Sequence, residues 1–422
     1  MVFHIPTSVG AIAGWCFAAF VAGVAAATGW HRFDIASATL AIILFLAAFA
    51  FVLPVSTKTK CLAALMFAFF LGVWRVDVSP RPELRRIGNV RMLVAQPEPT
   101  RGIPGILAGW RKTVTARIAS VLPPDDAALV AGILYGDAEL SKTARDAFRS
   151  SGLTHLVAVS GANVTVLVQF FAIIIARIGL RRRHAFFLTS LAIIVFVGFV
   201  GFAASVARAA FMGWLILLAR EVGRPVQPLR LLLVVAVLLL LINPWQLLYD
   251  IGFALSFLAT WGILCWAPLI EAWCRRLPKR FGIREAFSMT AAATLCTAPY
   301  AAWAFDRLTL VGLLTNLLAA PLIPFIMGWG ALVAVWGNFF AHDIVMLPAS
   351  GFVKALQGVS HLHVFFPWLD LRITGVNLST LIGTYALLIY FWFQLSGKNG
   401  LSTEKRDASD FSDVFEATVR GQ

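Results

Sequence analysis

The sequence is short of charge, and what charge it has is one-sided. Asp, Glu, Lys and Arg make up 13% of its 422 residues, where ordinary soluble domains carry about 25%. Hydrophobic residues reach 59% and the mean hydropathy is +0.82. This balance excludes a water-soluble globular chain and implies a polytopic membrane protein built from apolar runs of about 20 residues. Acidic residues are the scarcest charges, 21 against 35 Lys and Arg, which leaves a net +14. That excess fits anionic lipid contact, a cytoplasmic loop bias or a polyanionic substrate, and alone does not choose among them.

Cysteine is also sparse. Cys16, Cys61, Cys265, Cys274 and Cys296 are scattered without a Cys-x-x-Cys pair. Four of them sit in apolar runs, where Cys serves as a small hydrophobe. Neither a disulfide framework nor a zinc site is expected. His361 and His363 form the one His-x-His fragment, and Val364-Phe365-Phe366 follow where further ligands would be needed; they read as interfacial, with no metal. No Gly-x-x-x-x-Gly-Lys-[Ser/Thr] loop is present, since Gly397-Lys398 lacks the upstream glycine and the following hydroxyl. No cofactor and no built-in nucleotide motor are expected. The N-terminus has no basic leader with a small-residue cleavage site, so residues 9–27 read as a permanent first span.

What the chain does contain is a succession of apolar runs. Residues 1–76 hold three, near 9–27, 35–53 and 61–76. Residues 77–121 change character: Pro80, Pro82, Pro97, Pro99 and Pro104 break long helices, and Arg81, Arg85, Arg86, Arg91 and Arg101 make the stretch basic. Its end, 104–121, has the pattern of an amphipathic helix at the membrane surface, with Arg111, Lys112 and Arg117 on the polar side. The main membrane region covers 122–395, and a polar tail covers 396–422 with Asp407, Asp410, Asp413 and Glu416. Within 122–154, Pro123-Pro124-Asp125-Asp126 starts a helix that Gly136-Asp137 ends, and Ser141 caps a second running to about Arg149. Spans follow near 155–178, 185–202, 204–219, 229–242, 246–268, 286–304, 307–320, 322–340 and 376–395, with a weaker interfacial helix at 347–362. Pro321 and Pro324 make half-helices of the pieces near 307–340. The expected fold class is an all-α polytopic membrane protein of about ten transmembrane helices, some broken or re-entrant, plus interfacial amphipathic helices.

One stretch organises the rest. From Gly152 the chain turns apolar enough to enter a membrane, then places Ser160, Gly161, Ala162 and Asn163 inside the apolar run. Irregular backbone at membrane depth is tolerated only where protein packs it or a watery cavity adjoins it. The cluster is therefore either a kink packed by small residues or the lining of a path.

Basic loops set an orientation. Arg177 with Arg181 to Arg183, then Arg220, Arg224 and Arg230, then Arg275, Arg276, Lys279, Arg280 and Arg284 recur at intervals of two spans. They share one side, cytoplasmic by the positive-inside rule, and the stretch before residue 155 is then external. The first three spans follow the rule less cleanly, because the basic 77–120 segment would face outward.

Ionisable residues inside spans are costly and mark functional sites or buried pairs. Arg208 lies among Ala203-Ala204-Ser205 and Ala209-Ala210, and at mid-membrane costs roughly 2.5–3.5 kcal/mol on insertion scales. It requires a carboxylate, water or an anion. Asp250 is a candidate partner, in which case the two form a structural interhelical pair. Pro299 after Thr297, and Asn316 ahead of Pro321 and Pro324, break two further crossings. Together these breaks have the character of a transport pathway.

Gly132 to Asp137, with Phe148-Arg149-Ser150-Ser151-Gly152-Leu153-Thr154-His155 through Val159-Ser160-Gly161, resembles the ComEC competence family of DNA-uptake channels. Ala207-Arg208-Ala209, Asn243-Pro244, Gly252 to Phe257 with Ser256, and Asn316 with Pro321-Leu322 follow that family's later motifs in order, so the resemblance covers about 125–335. It implies that 122–395 is a competence-type membrane channel domain passing single-stranded DNA, without sequence preference, across the cytoplasmic membrane in natural transformation. His155, Ser160, Gly161, Asn163, Arg208, Asp250, Ser256 and Asn316 would line the DNA path. It further implies a cytoplasmic ATPase, an external DNA receptor and a separate nuclease as partners beside membrane lipid, and leaves open an oligomer. Members typically carry an oligonucleotide-binding-fold domain where only 77–121 stands here, and many end in a metallo-β-lactamase-like domain where this sequence has its polar tail.

Two other readings compete. Ser160 with His155 resembles the pair of an intramembrane serine protease, but a nucleophile needs its base within hydrogen-bond reach, and His155 is five residues away at the span's start. A secondary transporter of a small anion fits the broken helices and Arg208; an internal repeat would mark it, and none is evident. The chain is expected not to be an enzyme.

Overall fold

The computed structural model describes residues 9–29, 57–80, 82–87, 90–93, 102–136, 139–157, 164, 166, 170, 177, 182–201, 204–223, 225–276, 278, 282–336, 342–373 and 375–398. In chain order these form α1 (Val9–Gly29), α2 (Thr57–Asp77), β1 (Leu84–Ile87), β2 (Val90–Leu93), α3 (Gly102–Val121), α4 (Pro124–Tyr135), α5 (Lys142–Ser150) and α6 (Thr154–Val157). There follow α7 (Arg182–Val200), α8 (Ala204–Val222), α9 (Pro228–Ile242), α10 (Gln246–Tyr249), α11 (Ile251–Trp273) and α12 (Ile283–Phe305). The chain continues through β3 (Arg307–Thr309), α13 (Gly312–Ala319), α14 (Leu322–Trp336), α15 (His342–Ser360), two short 3-10 turns, β4 (Asp370–Arg372) and α16 (Leu378–Lys398).

Two compact units result. The first joins Met1–Ala95 to Pro228–Ala254, and the second joins Gln96–Gln227 to Leu255–Gln422. In the first, α1 and α2 approach until a Cβ on Gly23 would stand 1.9 Å from the Phe69 carbonyl oxygen; only glycine permits backbones so close. Arg75 at the end of α2 donates to the carbonyls of Leu241 at 2.5 Å and Ile242 at 2.7 Å, closing the C-terminal end of α9. The basic segment carries a hairpin that its proline content hides: β1 and β2 pair antiparallel, with Leu84 opposite Leu93 and Arg86 opposite Arg91.

In the second unit α4 is the hub. Leu129, Val130 and Ile133 are fully buried and pack in one cluster with Ile118, Phe148, Leu153, Val197, Val206, Ile326 and Val353. Helix α4 is apolar on all sides after its first turn, and such a helix belongs in a core. Its ends follow the sequence closely. Gly136 is left-handed at φ 84, and Ser141 accepts from the Ala144 N–H to cap α5. A second cluster joins α11 and α12 around Cys265, Trp266, Ala292 and Cys296. There α16 holds both helices, Tyr385 donating to the Cys296 carbonyl at 2.7 Å and Trp392 to that of Cys265 at 3.0 Å.

Among the described residues three helices are long and apolar enough to cross a membrane, at Arg183–Val200, Ile251–Trp273 and Leu378–Ser396. Gly312–Ala319 with Leu322–Trp336 is apolar enough as a pair for a fourth, broken or re-entrant segment, bent by 49° at the break expected at Pro321. The fold is thus mainly helical and of membrane type. Some expected spans differ for identifiable reasons. Residues 35–53 and most of 155–178 lie outside the described residues. Helix α8 carries Arg208, Arg220 and Glu221, and α12 carries Ser288, Thr290, Thr294 and Thr297, which lower their hydropathy. The expected 246–268 span breaks at Asp250, whose backbone is extended, and the expected 307–320 span begins instead as β3.

Candidate functional site

The loop that leads into the organising stretch is built from the end of α5. Gly152 at φ +76 turns the chain, and the Leu153 N–H donates to the Phe148 carbonyl at 2.9 Å. Leu153 is fully buried, which anchors the turn in the core. Helix α6 then presents His155, whose Nδ1–H donates to the Gly152 carbonyl at 3.1 Å and whose ring is exposed.

This loop is docked on α13. A Cβ on Gly152 would lie 2.9 Å from the Gly312 Cα, so the two backbones cross at glycines. Buried Thr315 donates its hydroxyl to the Ser151 carbonyl at 2.7 Å. One residue on, the Asn316 side chain lies near the His155 ring, and its Nδ2 donates to Thr290 Oγ1 of α12 at 3.2 Å. The structure therefore brings together two of the residues singled out from sequence, His155 and Asn316, and adds Thr290 to them.

A short sheet braces the same place. β3 pairs antiparallel with β4, Arg307 opposite Arg372 and Thr309 opposite Asp370. Arg307 donates Nε–H to Asp370 Oδ1 at 2.6 Å and Nη2–H to Oδ2, a bidentate pair, and the same Nη2 reaches Ser150 Oγ at 3.0 Å. Both side chains are about a quarter exposed. The hydrogen-bonded guanidinium holds the Asp370 carboxyl below the usual carboxylate range, and the carboxylate in turn raises Arg307. Asp146 and Arg372 supply further charges of alternating sign.

Arg208 projects from α8 to α11. Its Nη1 donates to the Thr260 hydroxyl and lies 3.8 Å from the Met212 sulfur. Thr260 spends its own proton on the Ser256 carbonyl one turn earlier, at 2.9 Å, which leaves its oxygen free to accept. The Arg208 Nε is buried and has no hydrogen-bond partner among the described residues. The cation is thus held by neutral groups. Ser256 takes part through its backbone.

Asp250 belongs to the first unit and caps α11, its Oδ1 accepting from the Phe253 N–H at 3.1 Å. Ser160, Gly161 and Asn163 lie outside the described residues. His361 and His363 each donate Nδ1–H to a backbone carbonyl, of Gln357 and Ser360, at 2.7 Å. Thr260, Thr290, Arg307, Thr315 and Asp370 escaped the sequence reading. The only signal for Arg307 and Asp370 was a charge flanking each of two apolar runs, which ordinarily marks a span boundary.

A family model described as Competence protein matches residues 133–398. The chain is similar to ComE operon protein 3 of Bacillus subtilis, 26% identical over 268 residues, which are 63% of this chain and 31% of that protein. The chain therefore spans less than a third of that relative's length. No solved structure matches it.

Proposed function

The chain belongs to the Competence protein family, whose model covers well over half of it, and we propose that it is a channel for single-stranded DNA across the cytoplasmic membrane in natural transformation. In this reading it is a multi-pass protein of about ten spans, and it conducts DNA without catalysing a reaction. Arg208 carries the proposal: a guanidinium set among apolar helices, held by a hydroxyl and a thioether, with a buried N–H left over. Such a cation gains most from an anion that passes or pauses beside it, and a phosphodiester offers that without regard to base sequence.

Two contacts support the external placement of the inlet. The positive-inside rule, applied to the three basic loops, puts the stretch before 155, the end of α7 and the β3 segment on one side, and the basic 77–120 segment goes with them only by continuity with that stretch. Arg111 of α3 donates to the Phe199 and Val200 carbonyls at the end of α7, and Ser150 meets Arg307 of β3. Segments assigned to the same face by charge and chain continuity are thus neighbours.

An interior-negative potential opposes each entering phosphate by about 2.3 kcal/mol per 100 mV. Import therefore needs pulling or trapping inside; the family resemblance implies a cytoplasmic ATPase for that task, with an external DNA receptor and a separate nuclease as further partners in this reading. The test is Arg208→Ala in a transformable cell. It should abolish import of purified labelled DNA while the protein still inserts and surface binding of DNA persists. Normal import by that variant would sink the pore role.

A further inference from the structure

We infer that Arg307 and Asp370 are positioning residues that latch the loop Ser150–His155 to the helix bearing Asn316, and so fix the mouth of the proposed DNA path. The inference rests on the channel reading for its purpose, but its geometry stands apart from it. The bidentate pair ties β3 to β4, and β4 is held again by the Leu310 N–H to the Leu369 carbonyl at 2.8 Å and the Ile373 N–H to the Asp306 carbonyl at 3.1 Å. Thr309 adds a hydroxyl to Asp370 Oδ1 at 3.4 Å. A strap of two three-residue strands has little stability of its own, so the ion pair decides whether it stays closed.

The strap reaches the loop through a hydrogen bond that has no role in closing it. Arg307 Nη2 shares its hydrogens between Asp370 and Ser150 Oγ. Behind Ser150 come the Ser151 carbonyl on Thr315, Gly152 across Gly312 with Thr309 Cγ2 3.5 Å from a Cβ built there, and His155 beside Asn316. Four successive steps of the loop thus register on one 10-residue stretch, Arg307 to Asn316. Releasing the first step frees the mouth without removing any side chain that faces DNA.

The experiment uses the full chain in its own membrane, with Ser150→Ala, Asp370→Asn and the exchange Arg307→Asp with Asp370→Arg. Ser150→Ala leaves the ion pair and the fold intact. At normal membrane level and unchanged thermal midpoint it should import labelled DNA several-fold more slowly, with surface binding unaffected. Asp370→Asn should do the same more severely, and the exchange should recover part of the loss. Hydrogen exchange on purified protein supplies a readout independent of DNA: amides 150–156 should lose protection in both single variants while α11 and α12 keep theirs. Unchanged exchange at 150–156, or losses that only track protein level, would overturn the latch. Normal import after deletion of the whole gene would instead overturn the channel reading.

Discussion

Gly152 and Gly312 cross so closely that a Cβ on the first would stand 2.9 Å from the Cα of the second. The reverse is not true, since a Cβ on Gly312 would find its neighbours at 3.6–3.9 Å, ordinary contact. The asymmetry makes a prediction. Gly152→Ala places a side chain at φ +76, costing about 1–2 kcal/mol for left-handed backbone, and overpacks the crossing by about 1–3 kcal/mol more. Gly312→Ala meets neither cost and gains about 0.4–1 kcal/mol, chiefly by reducing the backbone freedom of the unfolded chain. Thermal unfolding of the two purified variants should therefore move in opposite directions. Equal destabilisation would mean that the loop does not dock where the structure has it.

Local chemistry was legible in the sequence, and long-range pairing was not. Gly136, Ser141, Gly152 and Pro321 act through their own dihedrals and nearest hydrogen bonds, and each does what its residue type dictates. The hairpin at 84–93 was missed because its arginines and the surrounding prolines depress strand propensity without preventing a two-stranded pair. Arg307 and Asp370 lie 63 positions apart, and each alone reads as a charge at a span boundary. Arg208 was found because a charge in an apolar helix is conspicuous, whereas its holder Thr260 is one hydroxyl among many.

Asp126 carries the expected pH dependence. It is buried, with Oδ1 accepting from Gln357 Nε2 at 2.9 Å and Oδ2 without a partner among the described residues. Burial raises its carboxyl above the usual value, against smaller opposing effects of Gln357 and Lys354. A carboxyl raised in the folded state stabilises the fold below its unfolded value of about 3.9, and that contribution is lost as pH rises through the folded value. Asp126→Asn keeps the acceptor for Gln357 and carries no charge. It should match the wild type near pH 4 and exceed its unfolding midpoint at pH 8. A variant less stable at pH 8 would mean that the ionised carboxylate is satisfied by a contact the geometry does not contain.

Thr260 offers the sharpest separation of roles around Arg208. Its hydroxyl accepts from the guanidinium and donates to the Ser256 carbonyl, so it orients the cation without supplying charge. Thr260→Val has nearly the same shape but no acceptor, leaving a buried charged donor unmet at a cost of about 1.5–3 kcal/mol. Thr260→Ser keeps the acceptor. If Arg208 serves the DNA path, the valine variant should insert normally yet import labelled DNA about tenfold more slowly or worse, and the serine variant should stay near wild type. If instead Arg208 only braces α8 against α11, import by the valine variant should fall only as far as its membrane level does. The comparison of import rate with membrane level across Thr260→Val, Thr260→Ser and Arg208→Lys distinguishes the two. Arg208→Lys keeps the charge and loses the planar fork, so it should retain intermediate import where Arg208→Ala does not, because charge is what a passing phosphate meets.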